Sequence, residues 1–286
     1  MPGEVSSRLR NALSAALIAL ACLLLPFGAL AAWASYGLAD TGRYVTAMAP
    51  LATDPAVREA VADTVGDGIV RETRAEAPLR PFVRDAVRSF TGTDAFRTAW
   101  DAGNRAVHDA VLRSVREGGV GEVRVDLAPV AAEVKARLEA DHMPLARRIP
   151  VEHTEVAVLP AGELEELRQG FHALEIAGFW LPVTAAVLAV AGIAVAACRG
   201  RAVTATALGT ALGGGFLGLA VAIGRRLTLA DLPDDVHRPA AGAVYDALTA
   251  TLRTVSWLLV AIGLVVALGT WLLTRRRQPS VSASRP

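Results

Sequence analysis

The sequence predicts a mainly α-helical membrane protein, with four transmembrane helices and a mostly helical extracytoplasmic domain that carries a candidate small β-ribbon. Three observations lead there. Four stretches contain no charged residue: Asn11–Ala39, Ile176–Cys198, Ala202–Gly224 and Thr254–Thr274. A helix rises about 1.5 Å per residue, so about 20 apolar residues cross a hydrocarbon core of about 30 Å. Between the first and second stretch lies a charged segment, residues 35–175, with 23 acids, 17 bases and a net charge of −6. Arginines then mark the ends of the runs in a pattern that alternates from one side of a bilayer to the other.

The totals agree. The 286 residues are 53% hydrophobic, and the mean hydropathy is +0.39. A soluble domain is usually about 45–50% apolar. The net charge of +1 lacks the basic footprint of a nucleic-acid binder, so no nucleic-acid partner is expected. Lys135 is the only lysine. Arginine can signal phosphate or carboxylate recognition, but GC-rich coding is the simpler source of this bias. The two cysteines, Cys22 and Cys198, fall inside predicted spans. Residues 35–175 therefore hold no disulfide and no cysteine-based zinc site.

Residues 1–11 form a cytoplasmic N-terminus and 12–34 the first span. Arg8, the apolar run, Pro26, Gly28 and Ala29-Leu30-Ala31 also fit a cleavable secretory signal. The run continues to Leu38, longer than a signal core, and Trp33 and Tyr36 sit where interfacial aromatics belong. Residues 176–198 form the second span and 202–224 the third. Only Arg199-Gly200-Arg201 joins them, which makes an antiparallel hairpin with a cytoplasmic turn. An outer loop, 225–253, leads to the fourth span, 254–274, and a cytoplasmic tail, 275–286. Arg8, Arg10, Arg199, Arg201 and Arg275-Arg276-Arg277 then all lie inside, while Arg225, Arg226 and Arg253 lie outside. Trp180 and Trp257 fall at the outer interface and Trp271 at the inner one.

The third span repeats GxxxG at Gly209–Gly213 and Gly214–Gly218. Small residues at that spacing let helices approach closely. The expectation is packing against the second or fourth span of the same chain, with a homo-oligomer as the alternative. No Asp, Glu, Lys, Arg or His interrupts the four spans, which argues against an ion channel or a proton-coupled pump. Pro26 and Pro182 can kink their helices.

In the outer domain Asp54-Pro55 starts a helix, with an acceptor side chain at the cap and proline at the first helical position. Val57, Val61 and Val65 line one face, and Gly66 and Gly68 leave its end open. A second helix covers Pro81 to Phe90. The clearest runs from Asp94 to Glu117, stopped by Gly118-Gly119, with Phe96, Trp100, Gly103, Val107, Val111 and Val115 as its apolar stripe. Glu122–Val125 and Val151–Leu159 are the candidate strands, and Asp126 caps a helix through about Leu138. A last helix from Gly162 runs into the second span. Pro239 starts another that carries Val244, Leu248 and Leu252.

Catalytic motifs are missing. The histidines, His108, His142, His153, His172 and His237, have no metal-ligand spacing, so no metal and no cofactor is expected. Gly66-Asp67-Gly68 lacks the rest of a dinucleotide fingerprint, and no GxSxG or phosphate loop occurs. Asp234-Asp235 fits a cation site or an acid pair, but the simpler reading is a helix cap or a solvated pair. The one ligand-binding constellation is Trp100, Asn104, Arg105 and His108 on a single helix stripe. It makes either a polar groove or, more simply, a buried histidine bonded to a neighbouring helix.

The segments Asp40–Tyr44, Ala49-Pro50-Leu51, Asp54-Pro55-Ala56-Val57, Trp100, Asn104-Arg105, His108, Val125-Asp126-Leu127, Arg148-Ile149-Pro150 and Leu181-Pro182-Val183 span nearly the whole chain. In them the sequence resembles an uncharacterised family of actinobacterial integral membrane proteins. The resemblance implies one span, an outer domain and three further spans, and it implies no activity. The functional expectation is a non-enzymatic cell-membrane protein. It acts through its outer domain on an envelope protein or a wall or lipid component. The alternative is an envelope enzyme or carrier for a lipid-linked substrate. A sensor is disfavoured, because neither the short turn nor the short tail holds an output domain.

Overall fold

The computed structural model describes residues 2–73, 80–117, 123–126, 128–129, 132, 135–136, 139, 155–159, 161–232 and 237–276. Among them the elements are α1 (Pro2–Trp33), a π-helical segment (Ala34–Leu38), α2 (Thr41–Met48), a 3-10 turn (Ala49–Thr53), α3 (Pro55–Thr73), α4 (Arg80–Thr91), α5 (Asp94–Glu117), β1 (Val123–Asp126), β2 (Glu155–Leu159), α6 (Ala161–Val195), α7 (Arg199–Ala230) and α8 (Arg238–Arg276). The chain divides into two compact units. One is Met1–Ser35, Leu174–Gly224 and Ala250–Pro286; the other is Tyr36–Ala173 and Arg225–Thr249.

Among the described residues four helices are long and apolar enough to cross a membrane, over Arg8–Leu38, Arg168–Val195, Arg199–Ala230 and Arg238–Leu273, with mean hydropathy between 1.7 and 2.4, and the first unit holds most of their length. Small residues are buried and large apolar ones point outward. Ser14, Ala21, Ala185, Ala202, Ala207 and Ser256 are buried, whereas Leu23, Phe27, Val190, Leu212, Val265 and Leu268 are exposed. In water so extended an apolar coat would far exceed the few hundred Å² a soluble monomer shows. Against lipid tails it costs nothing, and association then rests on close backbone approach.

Glycine makes that approach. A Cβ on Gly192 of α6 would lie 2.7 Å from Ile18 Cγ1 of α1, beside the hydroxyl of Ser14, which donates to Gly192 O at 2.7 Å. Gly28 of α1 lies against Pro182 N, 3.1 Å from where its Cβ would be. On α7, Gly209 meets Cys22 Sγ and Gly213 meets Leu25 of α1, while Gly214 and Gly218 meet Leu259 and Ser256 of α8. The two GxxxG repeats thus serve two different helices of the same chain. The fourth span is one of the two partners expected and the first span is the other partner found, the second span meeting neither repeat; glycines five residues apart (Gly209 and Gly214) sit on different sides of the helix.

The turn between the second and third apolar helices is Ala196–Cys198, and Arg199-Gly200-Arg201 already belongs to α7. This corrects the expected turn at 199–201. The α6 helix stops at Val195, and the Ala197 N–H donates to Asn11 Oδ1 of α1 at 3.3 Å.

In the second unit Asp40 caps α2, its carboxylate accepting from Arg43 N at 2.8 Å. Asp54 caps α3, accepting from Ala56 N at 2.9 Å and Val57 N at 3.2 Å. Helix α3 runs through Gly66 and Gly68 to Thr73 because α4 packs on it. Arg84 Cγ lies 3.0 Å from where a Gly66 Cβ would be, Arg84 pairs with Asp67 at 2.9 Å and Arg88 pairs with Glu59. Thr93 Oγ1 accepts from Phe96 N at 3.2 Å, closing the start of α5. Met48, Leu51, Val57 and Ala240 form a buried core with Tyr44, Trp100, Val244 and Leu248 around it. The short strands pair antiparallel, with Asp126 opposite Glu155, and Asp126 Oδ1 accepts from Ala128 N at 2.9 Å.

Candidate functional site

The four residues of the expected groove lie on α5 but do not converge. Trp100 and Asn104 line a cavity of about 400 Å³ that lies between α3, α4 and α5 and opens to the surface. Arg105 is exposed. His108 turns away, toward residues 38–44.

The His108 contacts are internal. Leu38 O can only accept, so the ring nitrogen Nε2, 2.8 Å away, carries a hydrogen and donates it. Thr41 Oγ1 lies 3.1 Å from His108 Nδ1 and donates to Asp109 Oδ1 at 2.5 Å. The imidazole stacks on Tyr44, with ring centroids 4.2 Å apart and planes 18° from parallel. Burial pushes the Tyr44 phenol above its usual pKa. Arg116 Nη2 donates to Ala39 O at 3.3 Å. His108 therefore works as a latch that holds the chain leaving the first apolar helix against α5. Its polar atoms are spent on the fold. Of the two readings of this stripe, the geometry favours the histidine bonded to a neighbouring segment.

The cavity has a different chemistry. Val61 and Val65 of α3, Val87 and Phe90 of α4, and Trp100 and Val107 of α5 give it apolar walls. Phe90, Phe96 and Trp100 make a run of ring contacts with centroids 6.0 and 6.1 Å apart. The polar atoms at its edge already have partners. Trp100 Nε1 donates to Met48 O at 2.9 Å, Asn104 Nδ2 to Trp100 O at 2.8 Å, and Thr91 Oγ1 to Arg88 O at 2.8 Å. Asn104 Oδ1, the second hydrogen of Asn104 Nδ2 and the lone pairs of Thr91 Oγ1 are the hydrogen-bonding capacity left at this edge. Gly103 lies on the cavity wall, and a Cβ there would meet nothing within 4 Å. Such a space takes aliphatic or aromatic carbon and offers no directional set of hydrogen bonds.

A second space, about 260 Å³, opens among the apolar helices, lined by alanines with Cys22, Pro182, Thr206 and Leu259. Among the described residues no group of three or more His, Cys, Asp and Glu side chains could hold a metal ion. His142, His153 and the Asp234-Asp235 pair lie outside the described residues, as does most of the helix expected after Asp126. Sequence reasoning missed the part played by α2, whose eight residues, Thr41–Met48, are too few for a periodic signal. Asp40, an acceptor followed by a helix-compatible run, was the sign available. Comparison with family models, with curated proteins and with solved structures finds no match for this chain.

Proposed function

We propose that this is a multi-pass cell-membrane protein with both termini in the cytoplasm. In this reading residues 35–175 and 225–253 lie outside and bind an envelope component without catalysing a reaction. One observation carries it. The segment after the first apolar helix and the segment after the third share one core, Met48, Leu51 and Val57 with Ala240, Val244 and Leu248. Two crossings separate these segments, so a chain with four crossings carries both on one side. At the other end of the apolar helices Arg10 Nε donates to Val195 O at 3.3 Å, which sets the N-terminal arginines beside the α6–α7 turn. The positive-inside rule then assigns Arg8, Arg10, Arg199, Arg201 and Arg275 to the cytoplasm.

Binding is favoured over catalysis because Trp100, Asn104 and His108 of the α5 stripe bond within the fold, whereas an apolar cavity is left open. The same cavity supports the second reading, a carrier for a lipid-linked substrate. A homo-oligomer through the GxxxG faces is not favoured, since those faces meet α1 and α8 of the same chain. Crosslinking on intact cells followed by affinity capture tests the proposal. It predicts recovery of an envelope partner through residues of the outer unit. Recovery of none, with efficient crosslinking of a control membrane protein, contradicts it.

A further inference from the structure

We infer that the cavity between α3, α4 and α5 holds one fatty acyl chain of a membrane phospholipid. The inference rests on the binding role proposed above and names the ligand class. Three observations point to it. First, the walls are mostly valine, phenylalanine and tryptophan carbon, and each polar side chain at the edge, Trp100, Asn104 and Thr91, already donates a hydrogen bond within the protein. A sugar, a nucleotide or a peptide backbone would lose its hydrogen bonds to water there and recover few, whereas an alkyl chain loses none. Second, about 400 Å³ lies within the range of about 300–1,000 Å³ for small-molecule sites. Third, the unit that carries the cavity is tied at Tyr36, Ala173, Arg225 and Thr249 to segments belonging to the apolar helices. The bilayer proposed around those helices makes acyl chains the most abundant apolar matter available to a unit joined to them at four points.

The shape of the cavity depends on Gly103. An alanine there would be a better helix former than glycine, and its Cβ would meet no protein atom within 4 Å. The glycine thus leaves open volume in the middle of α5 where a side chain would be free to fill it. A bound chain lying along that gap would supply the missing contacts.

The experiment uses the full-length protein in nanodiscs of phosphatidylcholine doped with phosphatidylcholine that carries a photoactivatable diazirine near the end of one acyl chain. Labelled positions are mapped by mass spectrometry after irradiation. The inference predicts label between Val61 and Val107 in addition to the lipid-facing residues Leu212, Phe216 and Leu219. Gly103→Leu lowers the label in 61–107 by at least about tenfold, as expected when a filled site loses its favourable binding, and leaves the label on α7 unchanged as an internal reference. Ala99→Leu, on the same wall, does the same and serves where Gly103→Leu fails to fold. Label absent from 61–107, or present and insensitive to both substitutions, overturns the inference. Label delivered by a diazirine fatty acid but not by the phospholipid overturns the assignment to a phospholipid. An envelope partner recovered in intact cells with the cavity unlabelled would leave the binding role standing and remove the lipid from it.

Discussion

Ser256 of α8 donates its hydroxyl hydrogen to the carbonyl oxygen of Gly214 on α7 at 2.7 Å, where the two backbones approach closely. A Cβ on Gly214 would lie 2.9 Å from Ser256 O, and one on Gly263 would lie 2.5 Å from Ala207 O and 2.7 Å from Ala211 N. Each helix thus presents a glycine to the other's backbone. Between membrane helices a single hydrogen bond contributes about 0.6 kcal/mol on average, so the larger part of the attraction is the dispersion that close approach permits.

Gly214→Leu and Gly263→Leu should each force α7 and α8 apart and destabilise the helix bundle by about 1–3 kcal/mol, the range for overpacking. Ser256→Ala should cost about 0.6 kcal/mol. Gly215→Leu should be neutral, because a Cβ there meets nothing within 4 Å. Unfolding of the purified protein in mixed micelles, followed by circular dichroism, measures all four.

The latch at His108 gives a second expectation. Thr41→Val keeps the shape of the side chain but removes the donor to Asp109 and the partner of His108 Nδ1. Leaving partly buried polar groups unpaired costs about 1–3 kcal/mol. The substitution should lower the midpoint of thermal unfolding. His108→Phe should do likewise while preserving the ring stack on Tyr44. Neither change should abolish capture of an envelope partner at a temperature where the variant is folded.

The α3–α4 pairing predicts a response to acid. Arg84 donates a hydrogen bond to Asp67 and, chiefly for that reason, holds its carboxyl below the ordinary pKa of 3.8. The folded protein thus keeps this negative charge to lower pH than the unfolded chain does. The stabilisation is fully present above the unfolded pKa and is lost as pH falls below about 4 toward the lower folded value. Arg84→Gln should flatten the acid limb of the unfolding midpoint between about pH 3 and 5, and should change little near neutrality in high salt, because both groups face solvent. Melting curves across that pH series check it.

The apolar helices were legible because hydrocarbon imposes a length and forbids charge, and both rules leave long marks in a sequence. Helix α5 was legible to its ends because Asp94 opens it and two glycines follow Glu117. The start of α3 was legible because Asp54-Pro55 is a local signal, and its hydrogen bonds are made within three residues. Its end was not. Gly66 and Gly68 argue for a break by propensity, and the tertiary contact with Arg84 of α4 overrides them. The site divided in the same way. Trp100, Asn104, Arg105 and His108 share a stripe by spacing, but what each touches depends on residues 38–48 and on α3, which spacing along α5 does not report. The GxxxG repeats announced close packing without naming the partner, since any helix with small residues can accept them.

The arrangement of four crossings, with residues 36–173 and 225–249 outside, is tested most directly by the protein's own thiol. Cys198 is exposed in the turn between α6 and α7, and Arg105 is exposed on α5. In cells carrying Arg105→Cys, a membrane-impermeant maleimide should label position 105 in intact cells and Cys198 only after permeabilisation. Labelling of Cys198 in intact cells, with position 105 protected until the membrane is opened, would contradict the account.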